Sequence, residues 1–184
     1  MQRNLLLILA AVSAAIAAPN PVPQASCSIQ KVNQCISQKL GFDAKILERG
    51  DNFGGVWYWN CYPGARVGSE WPFYQFDIPE AYESWTFSER FPDHNELRCY
   101  IDQLDNVLNL RKHTIFNVKV IEAIFDAAAA QWTVCTAPGR RITSKYLILA
   151  TGLLYKEYLP DLPGLATYKE IVEYSASYPL DLIL

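Results

Sequence analysis

Three features predict an α/β fold with a parallel sheet. Residues 44–48 form a short apolar run ending in an acid. Residues 145–150, KYLILA, read as a buried parallel strand. Between them, residues 94–110 place Leu97, Ile101, Leu104 and Leu108 on one helical face. The length of 184 residues suits one domain of ordinary size. With 51% hydrophobic and 19% charged residues the chain is not disordered. Its net charge of -3, with no basic stripe, argues against a nucleic-acid partner.

Residues 1–18 read as a signal-peptide leader. Arg3 precedes an uncharged run from Leu5 to Ala18, and Ala15-Ile16-Ala17 fits the small-x-small pattern before a cut. The run is shorter than the ~20 residues a membrane helix needs, so no stable membrane span is expected. The alternative is that the run is a buried strand or helix of the globular domain. A cleaved leader implies a secreted or secretory-pathway protein; a retained one implies a cytoplasmic protein. Residues 19–28 are a Pro-rich linker, since proline lacks a backbone donor and fixes φ. The five cysteines (Cys27, Cys35, Cys61, Cys99 and Cys135) form no C-x-x-C pair and no cluster with histidine. No metal is expected, and an odd number of thiols reads as buried free cysteines.

The main domain is expected over residues 29–179, followed by a tail at 180–184. Residues 29–40 carry helical spacing, with Gly41 as a C-cap. Glu48 then stands at the end of the 44–48 strand, where a carboxylate accepts hydrogen bonds from ribose hydroxyls in dinucleotide-binding folds. Such folds place a strand and a G-x-G-x-x-G turn before the helix. Counted back from Glu48, the turn falls at residues 25–30, which read ASCSIQ, with two prolines just upstream at Pro21 and Pro23. No glycine occurs before Gly41. The fold class is therefore read as an incomplete Rossmann-like dinucleotide-binding domain, with its first strand and glycine turn missing.

The remaining elements are read in order. Asp93 is the N-cap of the 94–110 helix, with Glu96 in its first turn. Residues 114–125 and 131–136 form strands joined through Asp126 and an alanine run, which gives the sheet a β-meander insert.

Residues 50–66 read GDNFGGVWYWNCYPGAR. This run, preceded by ILER, closely resembles the flavin-binding segment of the Baeyer–Villiger monooxygenases, a family of FAD- and NADPH-dependent flavoproteins. Residues 69–101, TIFNVKVIEAIFD, QWTV and LILATG are similar to the same family. The resemblance implies an FAD-dependent monooxygenase, with NADPH and dioxygen as co-substrates and a ketone or heteroatom compound as the small-molecule substrate. It implies that Glu48 holds the adenosine ribose and that Gly54, Gly55, Val56 and Trp57 run along the pyrophosphate and ribityl chain. Tyr58 and Trp59 lie in the same run. Ala65, Arg66 and Val67 match the strip beside the flavin that faces the nicotinamide, and Tyr74 a tyrosine near the isoalloxazine. Val120 matches a residue whose backbone meets adenine. Ala150, Thr151 and Gly152 match the turn leading to the second domain.

Departures accompany the resemblance. Gly68 stands where the family has an aspartate. Tyr168, Glu170, Tyr174, Tyr178 and Pro179 stand at the spacing of the fingerprint F-x-G-x-x-x-H-x-x-x-W-P. No catalytic residue is assigned, the NADPH site is expected to be absent, and FAD binding is expected to be weak or lost. The alternatives are a catalytically inactive truncated homologue and a secreted binding protein that reuses the aromatic patch.

Of the 24 aromatic residues, 13 fall between Phe53 and Phe91, readable as core or as a flavin wall. Arg66 reads equally as a cofactor residue or as a salt-bridged surface arginine. His94 and His113 read as solvated or capping, and Glu70, Glu80 and Glu83 as solvated rather than paired.

Overall fold

The computed structural model of the chain describes residues 4–9, 43–137, 139–152, 154 and 158–179. A parallel sheet holds β1 (Asn4–Leu9), β2 (Asp43–Glu48), β3 (Thr114–Ile115) and β7 (Tyr146–Leu149) in the order β3-β2-β1-β7. In β2 the apolar residues Ala44, Ile46 and Leu47 are buried, while Asp43 and Lys45 face solvent. β1 pairs with β2 from Asn4↔Asp43 to Leu9↔Glu48, and with β7 from Leu5↔Tyr146 to Ile8↔Leu149.

This corrects the sequence reading in one respect. The first-strand slot is filled, by Asn4–Leu9 from the apolar leader. An uncharged Leu/Ile run has the composition of a parallel strand covered on both faces. The helix expected at 29–40, the Gly41 cap, the 19–28 linker and the 180–184 tail lie outside the described residues, as do Cys27 and Cys35. Another correction concerns β7, expected to be fully buried. Tyr146 and Leu149 are exposed, and Leu147 and Ile148 only half-buried. As the outermost strand of the described sheet, β7 is only partly covered.

The insert is an antiparallel meander of β4 (Lys119–Asp126), β5 (Gln131–Ala137) and β6 (Arg141–Ser144). The single strand expected over 114–125 breaks at Asn117, which takes φ 57°. Asparagine tolerates this left-handed conformation better than most residues. The break sends Ile115 into the parallel sheet and Val120 into the meander. It is held by Asn117 N–H donating to the Gly50 carbonyl and Val118 N–H to that of Glu48, both at 2.9 Å. The β4–β5 register shifts between Val120 and Glu122. In the hairpin, Asp126 Oδ1 accepts the Ala128 and Ala129 N–H groups at 2.9 and 3.0 Å. Leu47, Val120 and Val134 form a small core joining the two sheets, with Ile115 and Leu147 packed against it.

The larger core lies around the long helix. Besides the short turns Val56–Trp59 (α1), Trp71–Tyr74 (α2) and Pro79–Tyr82 (α3), the chain forms α4 over His94–Leu108. Asp93 caps α4 by accepting the Glu96 N–H at 2.8 Å, and Asn109 ends it in the left-handed conformation. The face formed by Leu97, Tyr100, Ile101, Leu104 and Leu108 is buried. Phe53, Ile78, Ala81 and Phe87 complete the cluster, with Trp57, Trp71, Tyr74, Phe76 and Trp85 packed against it. Each fully buried side chain of this size contributes roughly 1.5–3 kcal/mol. Tyr100 lies 4.9 Å from Phe87 and 5.7 Å from Trp85 between ring centroids, and its hydroxyl accepts the Phe76 N–H at 2.9 Å. Much of the aromatic cluster is therefore core.

Residues 65–71 run beside 90–94. Val67 N–H donates to Pro92, Trp71 N–H to Arg90 and His94 N–H to Ala65. Two ion pairs, Arg66–Glu89 and Arg90–Glu70, cross the same seam. Glu70 is thus paired, contrary to expectation, because the seam brings Arg90 opposite it. Among the described cysteines all are free, but only Cys135 is buried; Cys61 is half-buried and Cys99 lies exposed on the outer side of α4.

Candidate functional site: a strand-end carboxylate beside a double-glycine turn

The site begins at the C-terminal end of β2. Glu48 is 2% exposed, and its Oε1 accepts the Gly50 N–H at 2.7 Å. Burial pushes its pKa above the ordinary carboxylate value, opposed by the Gly50 and Arg49 N–H groups and by the Arg49 charge. A buried carboxylate at a strand end, beside a turn, is the acceptor a ribose diol requires.

The turn that follows is shaped by its glycines. Gly54 takes φ 141°, and a Cβ there would strike the Arg98 guanidinium and come within 3.0 Å of Tyr58 Cβ. Gly55 takes φ 53°. Such angles favour glycine. Gly55 then leads into α1, where the Trp57 N–H bonds to Gly54 O and the Tyr58 N–H to Gly55 O. Val56, Trp57, Tyr58 and Trp59 are all half-buried. Trp57 meets Tyr74 edge-on at 6.0 Å. The Tyr58 hydroxyl donates to Asp51 at 2.8 Å, and Trp59 lies beneath the Arg49 guanidinium at 3.9 Å.

The fold brings several sequence-selected residues together. Glu48 and the start of the strand that carries Val120 meet at one end of β2 through the Asn117 and Val118 hydrogen bonds, and Gly54–Trp59 follow in the turn that leaves it. Tyr74 joins through Trp57. Ala65 and Val67 are buried in the seam, whereas Arg66 is exposed and held by Glu89 and the Phe91 carbonyl. Thr151 and Gly152 follow β7, with Gly152 at φ 71°. Of the histidines expected to be solvated or capping, His94 has a buried Nε2 without a partner among the described residues, and His113 is half-buried. Burial, then Lys45 and Lys112, lower the His113 pKa.

Sequence reasoning missed the side chains that brace the turn. Arg98 donates to the Phe53 carbonyl, and Asn52 Nδ2 to Asp102 at 3.0 Å. Asn52 Oδ1 accepts the Phe53 N–H at 2.8 Å and a bond from Arg111, whose Nε reaches Asp105 at 2.5 Å. The only signal for Arg98 is its position on the polar side of α4, which does not reveal a partner 45 residues away. Among the described residues no group of three or more His, Cys, Asp or Glu could hold a metal, and no helix is long and apolar enough to cross a membrane.

An FAD-binding monooxygenase, acrE, of Aspergillus aculeatus is 42% identical over 142 residues, covering 77% of this chain and 24% of the relative. Over these residues the chain is homologous to a part of the Baeyer–Villiger-type FAD-dependent monooxygenases. Another member, cyclopentanone 1,2-monooxygenase of Comamonas sp., is 34% identical over 77% of the chain and 26% of its own length. The NADP+-bound cyclohexanone monooxygenase of Rhodococcus sp. Phi1 superposes with a TM-score of 0.79 at 25% identity, covering 100% of this chain and 32% of that one. The ε-caprolactone-bound form of a cyclohexanone monooxygenase gives 0.80 at 26% identity, covering 98% and 33%. The chain thus spans about a quarter of the length of the curated monooxygenases it matches. No protein-family profile matches it.

Proposed function

We propose that this chain forms the adenosine- and pyrophosphate-binding portion of an FAD-dependent monooxygenase, one that uses NADPH and dioxygen to oxygenate a ketone or heteroatom compound. The observation that carries this reading is Glu48, buried at the end of β2 next to a turn whose Gly54 takes φ 141°, an angle that side chains rarely adopt. Glu48 would accept from the ribose hydroxyls. The backbone from Gly54 to Trp57 would lie along the pyrophosphate, with Val120 near adenine. Ala65, Arg66, Val67 and Tyr74 would border the ring system, and Thr151 and Gly152 the exit toward a second nucleotide site. FAD supplies the redox chemistry when bound. The chain binds and orients it, and the Trp57–Tyr74 pair excludes water on one side.

Weak binding is expected, because no glycine precedes Gly41 and none can therefore follow β1. A glycine turn lets backbone amides approach the pyrophosphate, and a side chain there blocks that approach. Equilibrium dialysis against FAD, and against ADP as its adenosine half, tests the reading. Saturable binding of both, weakened by Glu48→Gln, supports it; no binding of either at millimolar ligand overturns it. The missing glycines, with Tyr174 in the fingerprint histidine position, favour an inactive homologue as the second reading. NADPH consumption above the free-flavin background would exclude that alternative.

A further inference from the structure

We infer that Arg98 is the positioning residue of the dinucleotide site, holding the Gly54–Gly55 turn open for its ligand from α4. The inference rests on the proposed function. Arg98 stands on α4, three residues from the buried Ile101 and one turn before Asp102, with its side chain 18% exposed. Its guanidinium donates to the Phe53 carbonyl, passes 5.4 Å from the Tyr58 ring, and lies within 4.0 Å of the Asp102 carboxylate. A Cβ on Gly54 would strike this same guanidinium. Arg98 therefore occupies the volume a side chain at residue 54 would need, and ties the peptide just before it to the rigid helix.

The rest of the network points the same way. Asn52 anchors the turn to Asp102, accepts the Phe53 N–H and receives Arg111, which is itself held by Asp105. Arg98 and Asp102 along α4, and Arg111 just beyond it with Asp105 behind, thus brace residues 52–54. A planar guanidinium can bond one acceptor, stack on a ring and pair with a carboxylate at once, and an ammonium cannot. This turn contains the backbone run assigned to the pyrophosphate, so its shape sets how closely a ligand can approach. Arg98 touches the turn and not the ligand, so its effect is on affinity through geometry.

The test compares the full chain with Arg98→Ala and Arg98→Lys in two measurements. The first is FAD and ADP affinity by dialysis. Loss of a charge-assisted hydrogen bond to the turn should weaken FAD about tenfold in Arg98→Ala. Millimolar guanidinium ion should restore part of that affinity, ammonium none of it, and Arg98→Lys should remain weak. The second is amide exchange without ligand. Residues 52–57 should exchange faster in Arg98→Ala while residues 97–108 keep their protection. Unchanged FAD affinity in Arg98→Ala, or loss of protection throughout α4 in both variants, would overturn the inference by making the residue dispensable or merely structural. If the wild-type chain binds neither ligand, the function reading fails by itself; the exchange measurement then still decides whether Arg98 holds the turn.

Discussion

Glu48 and Gly50 are joined by a carboxylate-to-amide hydrogen bond of 2.7 Å inside the protein, and the bond closes the corner where β2 becomes the double-glycine turn. The same corner receives Asn117 and Val118, so strand end, turn and meander meet at one acid. An ionised carboxylate here loses solvation on folding, and the Gly50 and Arg49 amides and the Arg49 charge return only part of it.

This has a pH consequence. The folded-state pKa of Glu48 is raised, so the folded chain holds its proton more tightly than the unfolded chain does. That contribution to stability is complete below the ordinary carboxylate value near 4.5 and is lost as pH rises through the raised folded value. Glu48→Gln should therefore match the wild type on the acid side and exceed it in urea midpoint at neutral pH. A variant that is less stable than the wild type at neutral pH and equal to it at pH 4 would contradict the sign.

Asp93 begins α4 by accepting the Glu96 N–H with its side chain. Asp93→Ala should cost about 1 kcal/mol in urea unfolding, and Asp93→Asn much less. Equal losses for both would locate the effect in charge rather than in the cap.

Most of this was legible in the sequence where local chemistry decides. The α4 cap, its buried face and the 44–48 strand needed only spacing and residue type. The hand-off from β3 to β4 did not, because residues 114–125 read as one β-prone run and the break at Asn117 is stabilised by Gly50, far away in the chain. The leader was ambiguous for a related reason: an uncharged apolar run carries no period, so signal sequence and parallel strand look alike. Glu70 was misread because its partner Arg90 arrives through tertiary pairing. The bracing arginines were invisible for the same cause.

Tyr100 tests how the aromatic core divides its work. Tyr100→Phe keeps the ring contacts and leaves the Phe76 N–H without its acceptor, an expected loss of about 1 kcal/mol. Leu104→Ala, at a fully buried position, should lose about 2–5 kcal/mol. The ordering of the two urea midpoints checks the claim; a reversal would make the hydroxyl the main contribution.

A chain beginning at residue 19 lacks β1, which leaves β2 and β7 with unpaired backbone on the edges that face each other. Gel filtration should show it associating, while the 184-residue chain runs as a monomer. Amide exchange should then lose protection first in residues 43–48 and 146–149. A monomeric shortened chain with both strands protected would show that the sheet closes without its N-terminal member.

The pairing of Leu5 with Tyr146 joins segments about 140 residues apart. On the ribosome, β1 and its neighbour β2 leave the exit tunnel long before β7, which flanks β1 on the other side, has been made. The Phe53–Leu110 aromatic core draws only on neighbouring sequence and can condense while translation continues. The parallel sheet then closes last, when β7 docks on the side of β1 away from β2, and until then that apolar N-terminal segment must stay unclaimed by chaperones, membrane or export machinery. Whichever reaches residues 4–9 first, sheet or export machinery, sets the fate of the newly made chain.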